Sequence, residues 1–246
     1  MNTKNRTASV GNASEMLLSS DTPFHITESY KTLRTNLLFS IAAVEAELQN
    51  VVVVSSSLPG EGKSVSSANL AIALSQTGAR VLLVDADLRK PVQNKMFAQS
   101  NVRGLSTVLI GETVLEVAIK NDVRPGLDLL TSGKIPSNPS ELLGSKAVRR
   151  LLGELSAAYD YVVVDTPPIY VVSDALTFAS HTAGLLIAVC PSICKHEHLR
   201  RTVESAALAD VHILGAFLSN TAGQGLGLSY KGRAEKYKKY NNYKRT

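Results

Sequence analysis

The chain has 246 residues, a length that suits one α/β domain with short appendages. Apolar residues make up 44% of it, which excludes global disorder, and no apolar run approaches the roughly 20 residues that cross a bilayer. The net charge of +5 comes from residues 231–246, which hold seven Lys and Arg against one acid and leave the rest near neutral. The polar first 20 residues lack the apolar stretch of a signal peptide.

The first elements in chain order are an arm, a helix, a strand and a second helix. Residues 1–24 are predicted to form a flexible N-terminal arm. Apolar residues at helical spacing from Ile26 to Leu48 predict a long amphipathic helix. The β-branched run Val51–Val54 predicts a strand covered on both faces. A Gly-rich turn then leads into a helix predicted over Lys63–Gln76, which Gly78 ends.

Further strands alternate with helical stretches along the rest of the chain. Asn138 stands before Pro139 and Glu141 in the pattern of a capped helix start. Such alternation implies right-handed crossovers, so we predict an α/β fold with a doubly wound, mostly parallel sheet over residues 25–222. Residues 223–246 are Gly-rich and then Lys- and Tyr-rich, which predicts a flexible tail. The further strands are predicted over Val81–Val84, Leu127–Leu130, Tyr161–Val164, Leu185–Val189 and Ile213–Leu218.

A phosphate-binding loop is predicted between the first strand and its helix. Residues 57–64 read SLPGEGKS and match the pattern G-x-x-x-x-G-K-[ST], except that Ser57 stands where the first Gly is usual. Gly60 and Gly62 let backbone N–H groups approach phosphate oxygens at a helix N-terminus. Lys63 can reach the β- and γ-phosphates, and the Ser64 hydroxyl can ligate Mg²⁺. The residues expected to line the nucleotide are Pro59, Gly60, Glu61, Gly62, Lys63, Ser64 and Val65.

Three carboxylates stand at the carboxyl ends of two predicted strands. Asp85 and Asp87 follow one strand, and Asp165 follows another. Ligands of open α/β sheets bind beyond this edge, so these acids are predicted to converge on the metal and γ-phosphate held by the loop. A single acid at a strand end is more often a helix cap or a turn residue, but three of them beside a P-loop favour a functional site.

Together the three segments resemble a known family. SSLPGEGKS, VDADLR and VVVDTPP are similar to the Walker A, Walker A′ and Walker B motifs of the bacterial protein-tyrosine kinases, and the resemblance covers about 28–220. It implies a P-loop NTPase-type fold that uses ATP and Mg²⁺, with Ser64, Asp85 and Asp165 at the metal. One acid of the Walker A′ pair would activate the attacking tyrosine hydroxyl, and the sequence does not say which. The catalytic residues that the resemblance implies are Lys63, Asp85 and Asp87.

Other segments bear on the same resemblance. Related P-loop ATPases often place an Asn against the base at the end of the last strand, which predicts Asn220 beside adenine, although Asn is also an ordinary turn residue. Residues 135–143 look like a family segment without a catalytic role. Glu28, Lys31 and Arg34 resemble the E-x-x-R-x-x-R segment that holds these kinases in an octamer-like ring. Lys31 replaces the first Arg there, and the alternative is a solvated helix face.

A tyrosine cluster occupies the last 17 residues, which contain four of the eight tyrosines. The resemblance implies that these four are autophosphorylated. Each phosphate would add about −1.5 to −2 charges, enough in total to cancel or reverse the basic charge of the tail. The alternative is a basic, aromatic tail that binds nucleic acid by stacking and phosphate contacts, which the near-neutral body disfavours. The four residues are Tyr230, Tyr237, Tyr240 and Tyr243.

The resemblance also implies a cellular context. The chain would be a separate cytoplasmic kinase, recruited to the inner face of the membrane by the cytoplasmic end of a transmembrane activator. It would act on tyrosine-containing proteins and regulate capsular or exopolysaccharide synthesis. The main alternative is a P-loop ATPase switch of the partitioning or division-site type, which shares this core. Those proteins carry Lys early in the loop, where this chain has Leu58.

Overall fold

A computed structural model describes residues 13–219, and its centre is a seven-stranded sheet. The strand order is β3-β4-β2-β5-β1-β6-β7, and every neighbouring pair is parallel except β3 with β4. This arrangement confirms the predicted doubly wound, mostly parallel sheet. The strands are β1 (Leu48–Ser56), β2 (Val81–Asp85), β3 (Ile119–Arg124), β4 (Leu127–Leu130), β5 (Tyr161–Asp165), β6 (Thr182–Val189) and β7 (Ile213–Leu218).

Helices cover both faces of the sheet, and the side chains of β1 show why. Val51 and Val53 belong to one buried cluster, whereas Val52 and Val54 belong to the other, because successive residues of a strand point to opposite faces. The stretch of such a strand that is covered on both faces is largely apolar, as Val51–Val54 is. The helices are α1 (Phe24–Ala42), α2 (Lys63–Ser75), α3 (Gln93–Met96), α4 (Leu105–Leu109), α5 (Leu115–Ala118), α6 (Pro139–Leu143), α7 (Lys146–Ala158), α8 (Asp174–Ala179) and α9 (His196–Leu208).

The first long helix is shorter than its apolar spacing predicted. Helix α1 ends at Ala42, and Leu48 begins strand β1 instead of continuing the helix. The Gln49 side chain closes the helix end, because its Nε2 donates to the main-chain oxygens of Ile41 at 3.2 Å and Val44 at 2.8 Å. The apolar residues from Val44 to Leu48 therefore match a helical spacing only by chance, because the helix has already ended.

Part of the predicted N-terminal arm is packed on the domain. A 3₁₀ turn over Ala13–Met16 leads to Leu17 and Leu18, which are only 3% and 4% exposed. The Asn69 side chain of α2 fixes this segment, since it accepts from Leu18 N at 2.7 Å and donates to Met16 O at 2.9 Å. The prediction of a flexible arm is therefore wrong for residues 13–18. Residues 1–12 lie outside the described part of the chain, as do Asn220 and the tail.

The sheet brings the three motif-bearing strands side by side. Strands β2, β5 and β1 are neighbours, so their carboxyl ends meet at one edge. Asp85 lies opposite Asp165 in the register of β2 and β5, and Val54 lies opposite Asp165 on the other side. In the portion covering residues 13–219, no helix combines the length and apolar character needed to span a membrane.

Candidate nucleotide and metal site

The phosphate-binding loop connects β1 to α2 and has the backbone that an anion site requires. Gly60 and Gly62 have φ of 85° and 81°, in the left-handed region that glycine adopts at little cost. A Cβ on Gly62 would also lie 3.3 Å from the Ser219 Oγ. Helix α2 begins immediately after Gly62, so its N-terminal amides and favourable dipole end face the loop.

Glu61 braces the loop from inside the protein. Its buried carboxylate accepts from Leu58 N at 2.6 Å through Oε1 and from Cys190 N at 3.1 Å through Oε2. Ser57, which replaces the usual first Gly, accepts a hydrogen bond from the Thr202 hydroxyl of α9 at 2.9 Å. Of the residues predicted to line the nucleotide, Glu61 therefore offers its main chain and not its side chain.

Lys63 stands at the centre of the acidic cluster. Its Nζ lies 3.1 Å from Asp87 Oδ2, 3.5 Å from Asp165 Oδ1 and 3.0 Å from Ser64 Oγ. Burial opposes the charge on this ammonium, but the Asp165 and Asp87 carboxylates outweigh it, so the pKa of Lys63 is raised. The structure thus brings together four of the residues predicted from the loop and the strand ends.

Asp85 is fully buried and accepts three main-chain hydrogen bonds. Its Oδ1 accepts from Asp87 N at 3.2 Å, and its Oδ2 accepts from Val92 N at 3.2 Å and Gln93 N at 3.0 Å. Burial and the neighbouring Asp165 carboxylate raise the pKa of Asp85 to about 8 despite these hydrogen bonds. The site therefore holds a carboxyl group that binds a proton more readily than usual.

The charges of the cluster fit a bound divalent cation. Asp85, Asp87 and Asp165 face a single ammonium, that of Lys63, and the Ser64 hydroxyl lies beside it. Within residues 13–219, no three His, Cys, Asp or Glu side chains converge as a ready-made metal cage. Mg²⁺ does not need one, because it usually combines one or two protein carboxylates with water and substrate phosphates.

Sequence reasoning missed two side chains that hold Asp165. Gln93 Nε2 donates to Asp165 Oδ2 at 2.8 Å, and Ser67 Oγ donates to Asp165 Oδ1 at 3.3 Å. Ser67 lies one helical turn after Lys63 on α2, a spacing that could have pointed to it. Gln93 follows no motif, and only the fold brings it to Asp165.

The segment 135–143 gains a structural role at the same edge of the sheet. Arg89 Nη2 donates to Ser140 Oγ at 2.6 Å, and Ser140 Oγ donates to Asp174 Oδ1 at 2.9 Å. Arg89 follows Asp87 closely, so this network ties the acidic strand end to α6 and α8. The predicted cap differs in detail, because the Asn138 side chain contacts the Glu141 carboxylate and bonds no main-chain amide of α6.

Comparisons with known proteins agree with this geometry. A family model described as an AAA domain matches residues 49–197. The tyrosine-protein kinase YwqD of Bacillus subtilis (strain 168) is 41% identical over 192 residues, which are 78% of this chain and 80% of that protein. The chain belongs to the bacterial tyrosine-protein kinases.

Other members of this kinase family extend the match. The putative tyrosine-protein kinase CapB of Staphylococcus aureus is 34% identical over 79% of this chain and 84% of that protein. The chain spans only 26% of the length of the tyrosine-protein kinase ptk of Acinetobacter johnsonii. Among solved structures, the chimerical protein CapA2B2 is 36% identical with a TM-score of 0.73, over 78% of this chain and 83% of that one.

The fold is also shared outside the kinases. The kinase domain of Escherichia coli tyrosine kinase ETK superposes with a TM-score of 0.74 at 34% identity, over 78% of this chain and 74% of that one. A plasmid partition protein from Borrelia burgdorferi superposes with a TM-score of 0.56 at 24% identity, over 69% and 77%. The second likeness concerns the fold alone.

The residues predicted to hold a ring lie on α1 of this kinase chain. Lys31 Nζ pairs with Glu28 Oε1 at 2.8 Å, and both side chains are almost half exposed. Arg34 Nη1 donates to Ala73 O, in the last turn of α2, at 2.7 Å. Glu28 and Lys31 thus remain accessible, whereas Arg34 already has a partner within the chain.

Proposed function

We propose that the chain transfers the γ-phosphoryl group of Mg·ATP to tyrosine hydroxyls, including those of its own C-terminal segment. The observation that carries the proposal is the meeting of Lys63 with Asp87 and Asp165 at the mouth of a phosphate-binding loop. Membership of the tyrosine-kinase family supports the choice of tyrosine as acceptor. The acceptors proposed within the chain are Tyr230, Tyr237, Tyr240 and Tyr243.

The loop and the metal side chains have separate tasks in this proposal. The amides of the loop and the Lys63 ammonium bind the β- and γ-phosphates. Ser64, Asp165 and Asp85 are the residues that would hold Mg²⁺. When bound, the metal neutralises charge on the transferring group. Asn220, which follows the last strand, is proposed to contact the adenine base.

Asp87 is our candidate for the base that receives the tyrosine proton. Asp85 lies deeper and accepts three main-chain amides, which suits a fixed position beside the metal. Asp87 accepts only one amide, from Lys90 at 3.0 Å, and its other oxygen faces Lys63. The tyrosine oxygen attacks the γ-phosphorus, its proton passes to Asp87, and ADP leaves.

Assembly and activation complete the proposal, and both rest on the family resemblance. Glu28, Lys31 and Arg34 would help to hold a ring, in which the C-terminal segment of one subunit enters the active site of the next. A segment tethered beside its target has a high effective concentration and needs no strong binding pocket. The cytoplasmic end of a membrane protein would activate the kinase at the inner face of the membrane. Its role would lie in capsular or exopolysaccharide synthesis.

The acceptor assignment is tested by replacing the four C-terminal tyrosines with Phe. We expect the variant to bind nucleotide as the parent does but to lose nearly all phosphotyrosine after incubation with Mg·ATP. The matched control is Tyr30→Phe and Tyr170→Phe in the folded body, which should leave the yield unchanged. Unchanged labelling of the four-Phe variant would show that the acceptors lie elsewhere. ATP hydrolysis by the parent protein without any phosphotyrosine would favour the ATPase switch instead.

A further inference from the structure

Gln93 contacts all three parts of the proposed metal site. Its fully buried side chain donates from Nε2 to Asp165 Oδ2 at 2.8 Å and to the Ser64 main-chain oxygen at 2.9 Å. Its own main-chain N–H donates to Asp85 Oδ2 at 3.0 Å. One residue of α3 therefore joins the end of β5, the start of α2 and the end of β2.

The neighbours of Gln93 fix the orientation of its amide. The Asp165 carboxylate and the Ser64 carbonyl are both acceptors, so the group that faces them must be the NH₂, which has two hydrogens to give. The opposite orientation would place Oε1 against two acceptors. Oε1 therefore points away from both, and it has no hydrogen-bond partner among residues 13–219. A buried amide oxygen without a donor is costly.

We propose that Gln93 is a positioning residue that sets the Mg²⁺ affinity of the nucleotide site. It holds Asp165 Oδ2 in place and fixes the first turn of α2, which carries the Ser64 hydroxyl. The inference rests on the proposed function, since it requires Mg²⁺ and nucleotide to bind beside these residues.

The test compares ADP binding with and without Mg²⁺, measured by calorimetry. Gln93→Met keeps the length of the side chain but removes both donors and the acceptor. We expect its ADP affinity in EDTA to equal that of the parent. In Mg²⁺ it should fall about 10–100-fold, the usual cost of losing a partner of a metal ligand. Gln99→Met, a control whose side chain donates to Phe97 O at 3.3 Å and lies outside the proposed site, should match the parent under both conditions.

The outcomes separate this inference from the function on which it rests. A loss of equal size with and without Mg²⁺, or no loss at all, would overturn the positioning role. If Gln93→Met does not fold, Gln93→Asn replaces it, because its shorter amide cannot reach Asp165 and Ser64 together. It should then show the same Mg²⁺-specific loss. A parent protein whose ADP affinity ignores Mg²⁺ would overturn the proposed function first.

Discussion

The Lys63 ammonium lies 3.1 Å from Asp87 Oδ2, a contact that joins the phosphate-binding loop to the acidic end of the neighbouring motif. Asp165 approaches the same ammonium at 3.5 Å from strand β5. Because β2, β5 and β1 are adjacent in the sheet, motifs that lie far apart in sequence meet around one cation. A lysine placed there can exchange carboxylate contacts for phosphate contacts when a nucleotide binds.

Asp165→Ala should nearly abolish phosphotyrosine formation. The change removes a carboxylate that contacts the Lys63 ammonium and accepts hydrogen bonds from Gln93 and Ser67. The same carboxylate is proposed to hold Mg²⁺. Asp160→Ala, immediately before the start of the same strand, is the control and should keep normal activity. Initial rates at saturating Mg²⁺ measure the difference. Near-normal rates for Asp165→Ala would show that its role has been assigned wrongly.

Asp85 should make the stability of the nucleotide-free protein depend on pH. Its folded-state pKa is raised from 3.8 to about 8, so the native state binds more protons than the unfolded state between these values. The free energy of unfolding should therefore fall as pH rises from 5 to 8. Asp85→Asn should flatten that slope, and it should also cripple phosphorylation.

Urea unfolding in EDTA at several pH values measures this slope. Asp160→Asn is the control, because the main-chain N–H of Arg80 lowers the pKa of Asp160, which stays ionised throughout the window. Its slope should equal that of the parent. Equal slopes for Asp85→Asn and the parent would contradict the raised pKa.

Glu61→Ala should destabilise the fold and weaken nucleotide binding together. The change leaves the part-buried main-chain amide of Leu58 and the buried one of Cys190 without acceptors. Each costs about 1–3 kcal/mol of unfolding free energy. Glu61→Gln keeps one acceptor oxygen and should lose less. Exposed Glu204→Ala on α9 should change stability by no more than about 0.5 kcal/mol. Denaturant unfolding measures the stability and calorimetry measures the ADP affinity. If Glu61→Ala changes neither quantity, the hydrogen bonds of the Glu61 carboxylate are not needed to hold the loop.

Glu28→Ala should convert the proposed ring of unphosphorylated chains to smaller species and slow autophosphorylation. Glu28 is a sharper probe than Arg34, because Arg34 also donates to Ala73 O within the chain and its replacement would disturb the subunit itself.

The phosphorylated parent protein should likewise form smaller assemblies than the unphosphorylated one, since each phosphate opposes the basic charge of the tail. Light scattering measures both masses, with Glu204→Ala as the control. Equal masses for all samples would show that neither the α1 residues nor the charge of the tail determines the size of the assembly.

The sequence predicted the apolar strands well, including β7 at one edge of the sheet, but missed β3 at the other edge. Runs such as Val51–Val54 and Tyr161–Val164 are apolar at nearly every position, which in this chain marks strands covered on both faces. Strand β3 reads IKNDVR and has a largely exposed face, so no apolar run revealed it. The burial of Leu17 and Leu18 was equally hard to predict, because it depends on a distant residue. Asn69, which accepts from Leu18 N, lies 51 residues further along the chain.

In the site too, some residues could be predicted from the sequence and others could not. Lys63, Asp85, Asp87 and Asp165 stand in motifs whose spacing reflects the phosphate chemistry, and the fold brings them together as expected. The contacts that hold them could not be predicted. Gln93 reaches Asp165 across 72 residues, and such long-range hydrogen bonds depend on how loops cross the edge of the sheet.

The most direct test of the account follows the γ-phosphate itself. The purified chain and its Lys63→Met variant are incubated with γ-labelled Mg·ATP, with and without candidate membrane-protein tails, and the label is mapped by mass. Lys120→Met, on the edge strand β3, controls for the loss of a lysine. We expect label on the C-terminal tyrosines of the parent and of Lys120→Met, and none on a folded Lys63→Met. Full tyrosine labelling of Lys63→Met, or hydrolysis of ATP by the parent without labelled tyrosine, would contradict the proposed kinase activity of this site.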